Sequence, residues 1–196
     1  MGPGIIRPLR LGAARALAAS AMVAALCPGA ASAQSVESAR TVATVMTPAS
    51  MAKTADMNFG RIAPKGSPGG TVVLNPAGSG SCTSSANLIR TGTCQPATFV
   101  VYGRHNWLVR IRELNNGVIT LLGPNGATML VNTLTISVDN LTPVSGGGSP
   151  AGNLGRYRII DPSGMATFRI GGTLTVGTNQ EPGVYTGVLN VQVNYN

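Results

Sequence analysis

Residues 183–196 read GVYTGVLNVQVNYN, and the alternation within this stretch decides the fold class. Apolar residues share one face of it: Tyr185, Leu189, Val191, Val193 and Tyr195. Polar residues share the other face: Thr186, Asn190, Gln192 and Asn194. A period of two residues is that of a β-strand, because successive side chains of a strand point to opposite faces of the sheet. The stretch therefore predicts a half-buried strand over residues 184–195.

The same period recurs along most of the chain. Residues 107–113 alternate strictly, with Trp107, Val109 and Ile111 on one face. Comparable runs occupy eight further stretches: residues 40–47, 57–63, 71–75, 97–103, 118–122, 128–138, 156–160 and 167–176. Over residues 128–138 the apolar positions change from odd to even numbers, which predicts a β-bulge in that strand.

Turn sequences separate these runs, and no segment has apolar residues at helical spacing. Residues 115–117 (NNG), 124–126 (PNG) and 180–183 (QEPG) combine the residue types that favour turns. The glycine-rich stretches 76–93 and 143–155 are predicted to be loops. Many short strands at this spacing predict an all-β, immunoglobulin-like antiparallel β-sandwich without significant helix.

The composition argues against catalysis. The 196 residues are 43% hydrophobic and only 10% charged, with six acids and one histidine, His105. A catalytic nucleophile needs a neighbouring base that a third group holds in place. A metal ion needs several acidic, histidine or cysteine side chains as ligands. Neither glycine-rich stretch opens a helix or carries the lysine of a phosphate-binding loop. We therefore expect no enzyme, no cofactor and no metal, and we expect His105 to lie exposed at a turn.

Residues 1–33 have the features of a secretory signal peptide. Arg7, Arg10 and Arg15 give a positive start, residues 17–26 form a short apolar run, and residues 31–33 read ASA. Cleavage is predicted between Ala33 and Gln34, which leaves residues 34–40 as a short N-terminal arm and residues 41–196 as a single β-sandwich domain. A buried N-terminal helix is the alternative. The apolar run is too short for a permanent anchor, and no transmembrane segment is predicted after its removal.

Removal of the signal peptide also changes the cysteine count. Cys27 leaves with it, so the mature chain keeps Cys82 and Cys94. Export to an oxidising compartment favours a disulfide between the two. The alternative is a metal-binding pair, but no histidine or further cysteine lies nearby in the sequence to complete four zinc ligands.

The last predicted strand has no successor in the sequence. An immunoglobulin-type sandwich needs a further strand beside its last-but-one strand, and an uncovered apolar edge invites intermolecular pairing. An extended segment donated by another chain can fill such a place, with main-chain hydrogen bonds giving affinity and alternate side chains filling pockets. The predicted groove for this strand addition is lined by six residues: Gly183, Tyr185, Leu189, Val191, Val193 and Tyr195.

Two stretches carry a resemblance to known families. Residues 183–196 resemble the C-terminus of chaperone-usher pilus subunits, which have a penultimate aromatic and a glycine fourteen places from the end, here Tyr195 and Gly183. Residues 56–62 (DMNFGRI) resemble the LNFG segment of spore-coat-U-like and archaic fimbrial subunits. More broadly, the mature chain resembles the bacterial domain-of-unknown-function family 4402. The matching stretches are residues 43–62, 70–74, 97–99, 168–174 and 183–187.

The resemblance implies a pilin-like sandwich that can lack its final strand. It implies an exported fimbrial or coat-like subunit in the periplasm, at the cell surface or in a fimbrium. Its implied partners are a periplasmic chaperone, an outer-membrane usher and other pilin-like subunits, one of which donates a strand. Residues 41–46 are a candidate donor, but the same residues are also candidates for the first strand of the domain itself.

A second hypothesis is a self-contained periplasmic or surface module for carbohydrate binding and adhesion, with Trp107 as a sugar-stacking residue. The alternative for Trp107 is a core position in its strand. Arg110 and Arg112, together with Arg156 and Arg158, can form a basic face for anionic surface polymers, or simply a solvated sheet face. Because the basic residues are scattered and the protein is expected to be exported, we expect no nucleic-acid partner.

Overall fold

The computed structural model describes residues 50–144 and 153–195 of the chain. The predicted signal peptide, its Ala33–Gln34 cleavage site, the N-terminal arm and the predicted strand 40–47 lie outside the described residues. So does most of the predicted loop 143–155. Within the described residues the chain is all-β, as the alternation predicts, with no α-helix and one short 3₁₀ turn, Pro124–Gly126. No helix in this part of the chain is long and apolar enough to cross a membrane.

The described residues contain thirteen strands. They are β1 (Ser50–Ala55), β2 (Arg61–Pro64), β3 (Gly70–Asn75), β4 (Ser81–Ser84), β5 (Leu88–Thr91), β6 (Ala97–Tyr102), β7 (Leu108–Glu113), β8 (Ile119–Leu122), β9 (Thr128–Asp139), β10 (Leu141–Pro143), β11 (Asn153–Ile159), β12 (Met165–Val176) and β13 (Val191–Tyr195).

The first sheet is built around β12. On one side β12 pairs with β6 and then with β3, and on the other side it pairs with β9. The strands β1, β4 and β8 add to β6, β3 and β9 respectively, and every pairing is antiparallel. The middle of β12 is Gly171-Gly172, where the neighbouring strands approach closely. A Cβ at Gly171 would lie 2.2 Å from the Leu74 carbonyl oxygen, so only glycine fits there.

The predicted bulge in β9 is confirmed. Gly171 pairs with Thr135 and Thr173 pairs with Asn132, so β9 carries one more residue than β12 over this interval. Thr133 takes up the extra length with a φ of 49°. Such a bulge lets the apolar residues of β9 change from odd to even positions while both halves of the strand still face the core.

The second sheet has the order β10-β11-β7-β13 and lies against the first. Between the sheets, alternate residues of β6, β7, β11 and β12 are buried, and the rings of Phe99 and Phe168 stack with centroids 5.0 Å apart. A second buried cluster includes Phe59, Leu74 and Leu174, and Leu189 packs against both clusters. Each fully buried large side chain of this kind contributes roughly 1.5–3 kcal/mol to stability.

The predicted disulfide is confirmed: Cys82 in β4 is bonded to Cys94, with Cα atoms 5.9 Å apart. The prediction of residues 76–93 as a loop is wrong in part, because they contain β4 and β5. β4 pairs with β3, and β5 pairs with β2 in a separate two-stranded sheet. The sequence SCTS of β4 is too polar and too short to show an apolar alternation. Its strand conformation depends on its partner β3.

The prediction of one continuous strand over residues 184–195 is also wrong, since β13 begins only at Val191. Thr186 forms a bridge with Leu122 of the first sheet, whereas β13 belongs to the second sheet. The chain therefore crosses from one sheet to the other between these points. Val188 lies in this crossing and is 67% exposed, and Gly187 packs closely against the Thr120 carbonyl oxygen.

Candidate functional site

The candidate site is the side of the sandwich at which β13 forms the edge of the second sheet. Among the described residues, β13 pairs only with β7, in the register Val191 to Glu113, Val193 to Ile111 and Tyr195 to Val109. In an antiparallel pair, the backbone groups of alternate residues point away from the partner strand. The outer edge of β13 therefore presents N–H and C=O groups that no described strand pairs.

The inner face of β13 is apolar and incompletely covered. Val191, Val193 and Tyr195 face the core, because directly opposite residues of a sheet point to the same side and Ile111 is 0% exposed. All three nevertheless remain only partly buried. Leu189, just before the strand, is also only partly buried. The described part of the fold leaves a row of core-facing side chains in partial contact with solvent.

β1 forms the corresponding edge of the first sheet. Met51 lies opposite Val101 and Lys53 lies opposite Phe99, so both side chains share the side of the sheet that faces the core. Met51 is nevertheless 36% exposed, and the Lys53 side chain is 56% exposed and forms an ion pair with Asp56. A lysine on the core-facing side of a strand is tolerated here because nothing among the described residues covers it.

The free edges of β1 and β13 lie on the same side of the sandwich. Only Asn140 separates β10 from the second half of β9, which lies beyond β8 at the edge of the first sheet. β9 and β10 therefore share one side of the sandwich, which leaves β1 and β13 to share the other. A contact agrees with this arrangement: the Tyr195 hydroxyl donates a hydrogen bond of 3.0 Å to the carbonyl oxygen of Tyr102, the residue paired with Ser50 at the start of β1. We refer to this side, with its two free edges, as the β1–β13 groove.

Tyr195 closes one end of the groove. Its ring packs edge-on against Trp107, with centroids 5.7 Å apart. Burial raises the pKa of Tyr195 to about 12, so the phenol remains a hydrogen-bond donor even above the ordinary tyrosine pKa of 10.0. Trp107 also lies beneath the Arg104 guanidinium, 5.5 Å from the ring centroid. These contacts place the partly buried Trp107 in a packed aromatic pair with Tyr195.

The structure does not bring the six predicted groove residues together. Val191, Val193 and Tyr195 lie on β13, with Leu189 next to them. Gly183 and Tyr185 lie at the 3₁₀ turn of the first sheet, where a Cβ at Gly183 would meet Pro124 and the Tyr185 ring packs on Gly123. The Tyr185 hydroxyl donates to the Glu181 carbonyl oxygen at 2.7 Å. Conversely, Met51 and Lys53 of β1 belong to the groove, and sequence reasoning missed them because SMAKTA shows no sustained apolar alternation.

His105 is exposed, at the turn between β6 and β7. Asp161 lies within electrostatic range of it, although the two are distant in sequence. Hydrogen bonds from Ser163 lower the pKa of the Asp161 carboxyl, and His105 adds a smaller effect. The Ser163 hydroxyl donates to Asp161 rather than to the histidine. The arrangement is that of an Asx turn, in which an acid satisfies the backbone N–H two residues on.

A small cleft lies outside the groove, beside the disulfide. It has a volume of about 350 Å³, and its lining includes Ser79, Thr93, Gln95 and Arg169 beside the apolar groups of Cys94 and Pro96. The Arg169 guanidinium is held by Asp139 at 2.6 Å. Sequence reasoning missed this cleft, because it forms only where residues 78–79 and 93–98 meet β12.

The comparisons with known proteins identify one family. Residues 49–195, about three quarters of the chain, match the family model described as "Domain of unknown function (DUF4402)". No curated protein and no solved structure matches the chain.

Proposed function

We propose that this chain, which belongs to the DUF4402 family, is an exported structural subunit of a fimbrial or coat-like surface assembly and assembles by strand addition at the β1–β13 groove. The observation that carries the proposal is the free edge of β13 above partly exposed, core-facing Val191 and Val193. Long apolar edges are a hazard that proteins normally cover or charge. An edge of this kind on an exported domain is suited to pair with a strand from another chain.

A donated strand would gain two kinds of contact. Its backbone would hydrogen-bond to the outward-pointing N–H and C=O groups of β13. Its alternate apolar side chains would fill the space between Val193 and Met51 above the buried core. Burial of that apolar surface favours binding by about 25 cal/mol per Å² before the costs of ordering the donor.

The same groove supports the proposed partners. A periplasmic chaperone would occupy it first, because a free subunit with this edge uncovered is prone to aggregate. At an outer-membrane usher, the N-terminal arm of another subunit would then replace the chaperone strand. The predicted signal peptide and the pilus-like spacing of Gly183 and Tyr195 support export and this assembly route.

Residues 41–46 (TVATVM) are the donor segment that we favour. Among the described residues, the strand that pairs with the outer edge of β6 is β1, which lies further along the chain. Val42, Val45 and Met46 supply apolar side chains, and the valines and threonines of the run favour an extended conformation.

The test is assembly of the exported full chain, with Val193→Asp compared with Val188→Asp. Val193 faces the groove, whereas Val188 is 67% exposed in the crossing segment. We expect wild type and Val188→Asp to form oligomers or chaperone complexes, and Val193→Asp to do neither, as measured by native mass spectrometry. Equal assembly of all three proteins, or a wild type that stays a soluble monomer without any partner, would refute strand addition.

A further inference from the structure

Four arginines lie together on the outer face of the second sheet. Arg110 on β7 lies directly opposite Arg156 on β11, and Asn194 on β13 lies on the other side of Arg110. Arg112 follows two residues along β7, and Arg158 follows two residues along β11. All four point away from the core, because the residues that alternate with them along β7 and β11 are buried: Val109, Ile111, Tyr157 and Ile159. We call this surface the arginine face.

The arginines lack carboxylate partners. Among the described residues, no acid lies within 4.0 Å of any of the four, since the ion pairs there join other residues. Four of the five acids in this part of the chain are held elsewhere, by Lys53, Arg169, Ser163 and Asn125. The fifth, Glu113, is buried on the opposite side of the sheet. The whole sequence has only one more acid, Glu37, so side-chain carboxylates cannot neutralise the face.

The placement of these charges costs stability. Like charges directly opposite each other on a sheet repel, as Arg110 and Arg156 do here. Charges often protect the edges of sheets, but β7 and β11 are the two inner strands of theirs. Edge protection therefore does not explain the arginines. Residues that break a local rule without a structural gain are often found at functional sites.

Part of the face is held in place before any ligand arrives. The Arg158 guanidinium donates a hydrogen bond of 3.1 Å to the Asn106 carbonyl oxygen. The Arg110 side chain is partly buried, and its Nε–H is buried without a hydrogen-bond partner among residues 50–144 and 153–195. A guanidinium presents its donors in a planar fork that matches a carboxylate, and holding it in place lowers the entropic cost of binding.

We infer that the arginine face binds an acidic polysaccharide through its sugar carboxylates. The guanidinium groups would pair with the carboxylates, and the neighbouring amides of Asn153, Gln192 and Asn194 would hydrogen-bond to sugar hydroxyls. The flat surface of four strands suits an extended polymer better than a compact ligand.

Two other classes of polyanion fit the face less well. Binding to an anionic membrane needs apolar side chains that insert. The exposed Leu114 and Ile160 each follow an arginine of this face by two residues along the chain. They lie at opposite ends of the face, because β7 and β11 run antiparallel, so they do not form one apolar patch. Single-stranded nucleic acid needs aromatic side chains for base stacking, and the described outward positions of these strands carry none.

The test is binding of the exported full chain to polygalacturonate, with neutral dextran as the uncharged control. Arg110→Gln/Arg156→Gln removes two charges from the face, and Arg61→Gln/Lys65→Gln removes two exposed charges elsewhere. We expect salt-sensitive binding to polygalacturonate only, weakened roughly tenfold by the first pair and little changed by the second. Arg110→Lys/Arg156→Lys keeps the two charges but loses the planar guanidinium donors, so its affinity for polygalacturonate should lie between those of the two glutamine variants.

Several results would overturn the inference. They are equal weakening by both glutamine pairs, equal binding to dextran, or tighter binding to phosphatidylglycerol vesicles or single-stranded DNA than to polygalacturonate. Arg112→Gln/Arg158→Gln provides a second variant of the face if the first does not fold. Val193→Asp, which alters the groove, should bind the polymer as wild type does, so strand addition and polymer binding can fail independently.

Discussion

At the residue scale, Glu113 shows how one buried carboxylate fixes a turn. It is the one charged residue among the fully buried side chains of the described chain. Its carboxylate accepts hydrogen bonds from the backbone N–H groups of Asn115 and Gly117, the second at 2.8 Å. These bonds satisfy two of the three backbone donors of the NNG turn between β7 and β8. The sequence identifies the turn, but nothing in it indicates that an acid at the end of β7 is buried to hold it.

We predict that Glu113→Gln destabilises the domain by about 1–3 kcal/mol, because an amide offers one acceptor where two N–H donors must be satisfied. Glu181→Gln is the matched control, since Glu181 is exposed and accepts a single bond from Asn125 at 3.3 Å. Urea unfolding of both variants measures the difference. Equal midpoints for the two would show that Glu113 does not support the turn.

Tyr195 gives a prediction on pH. Burial raises its pKa from 10.0 to about 12, so between these values the unfolded chain loses a proton that the folded chain keeps. Stability therefore falls as the pH rises through this interval and is fully present below it. Burial also raises the pKa of Tyr157, which adds in the same direction.

Tyr195→Phe should flatten this fall, and Tyr102→Phe, at an exposed tyrosine, should not. Unfolding by urea at a series of alkaline pH values, together with tyrosinate absorbance, measures both effects. If the stability of Tyr195→Phe falls with rising pH as steeply as that of wild type, burial does not raise the pKa of the Tyr195 phenol.

At the element scale, β9 depends on its bulge. The change from odd to even apolar positions made the bulge predictable from sequence, but not the residue that forms it. Thr133 has a φ of 49°, in a region that a β-branched residue rarely adopts. The strain is accepted because the bulge lets Val131 and Ile136 both face the core against β12.

Thr133→Gly should therefore be neutral or stabilising by up to about 1 kcal/mol, because glycine adopts this φ without strain. Thr135→Gly, two residues on in regular strand, should destabilise by about 1 kcal/mol, because it removes a strand former without relieving strain. Thermal unfolding compares the two. A loss of stability at position 133 as large as that at 135 would mean that the threonine side chain matters there more than its backbone.

At the scale of the whole molecule, the inner strands and the edge strands differ in how well they are protected. β12 is paired on both sides, whereas β1 and β13 each have one free edge within the described part of the chain. Local opening is easier where strands have few partners. The free edges of β1 and β13 border the groove on one side of the sandwich, whereas the arginine face lies on the outer surface of the second sheet.

We predict that amide hydrogen exchange of the monomer is slow in β12 and fast in β13. Addition of a strand partner should slow exchange in β13 and leave β12 unchanged, because only the free edge gains hydrogen bonds. Mass spectrometry of peptic fragments at two protein concentrations measures this. Exchange in β13 as slow as in β12 in a dilute monomer would show that the edge is already covered.

The sequence by itself determined the all-β class, most of the strands, the β9 bulge and the Cys82–Cys94 pair. Each of these follows from local periodicity, turn residues or the cysteine count, and none requires knowledge of distant contacts. Only the tertiary structure decided that β13 begins at Val191, that β1 supplies the other wall of the groove, and that four arginines share one face. These features depend on which strands become neighbours, and strand pairing joins residues far apart in the chain, so no local pattern records it.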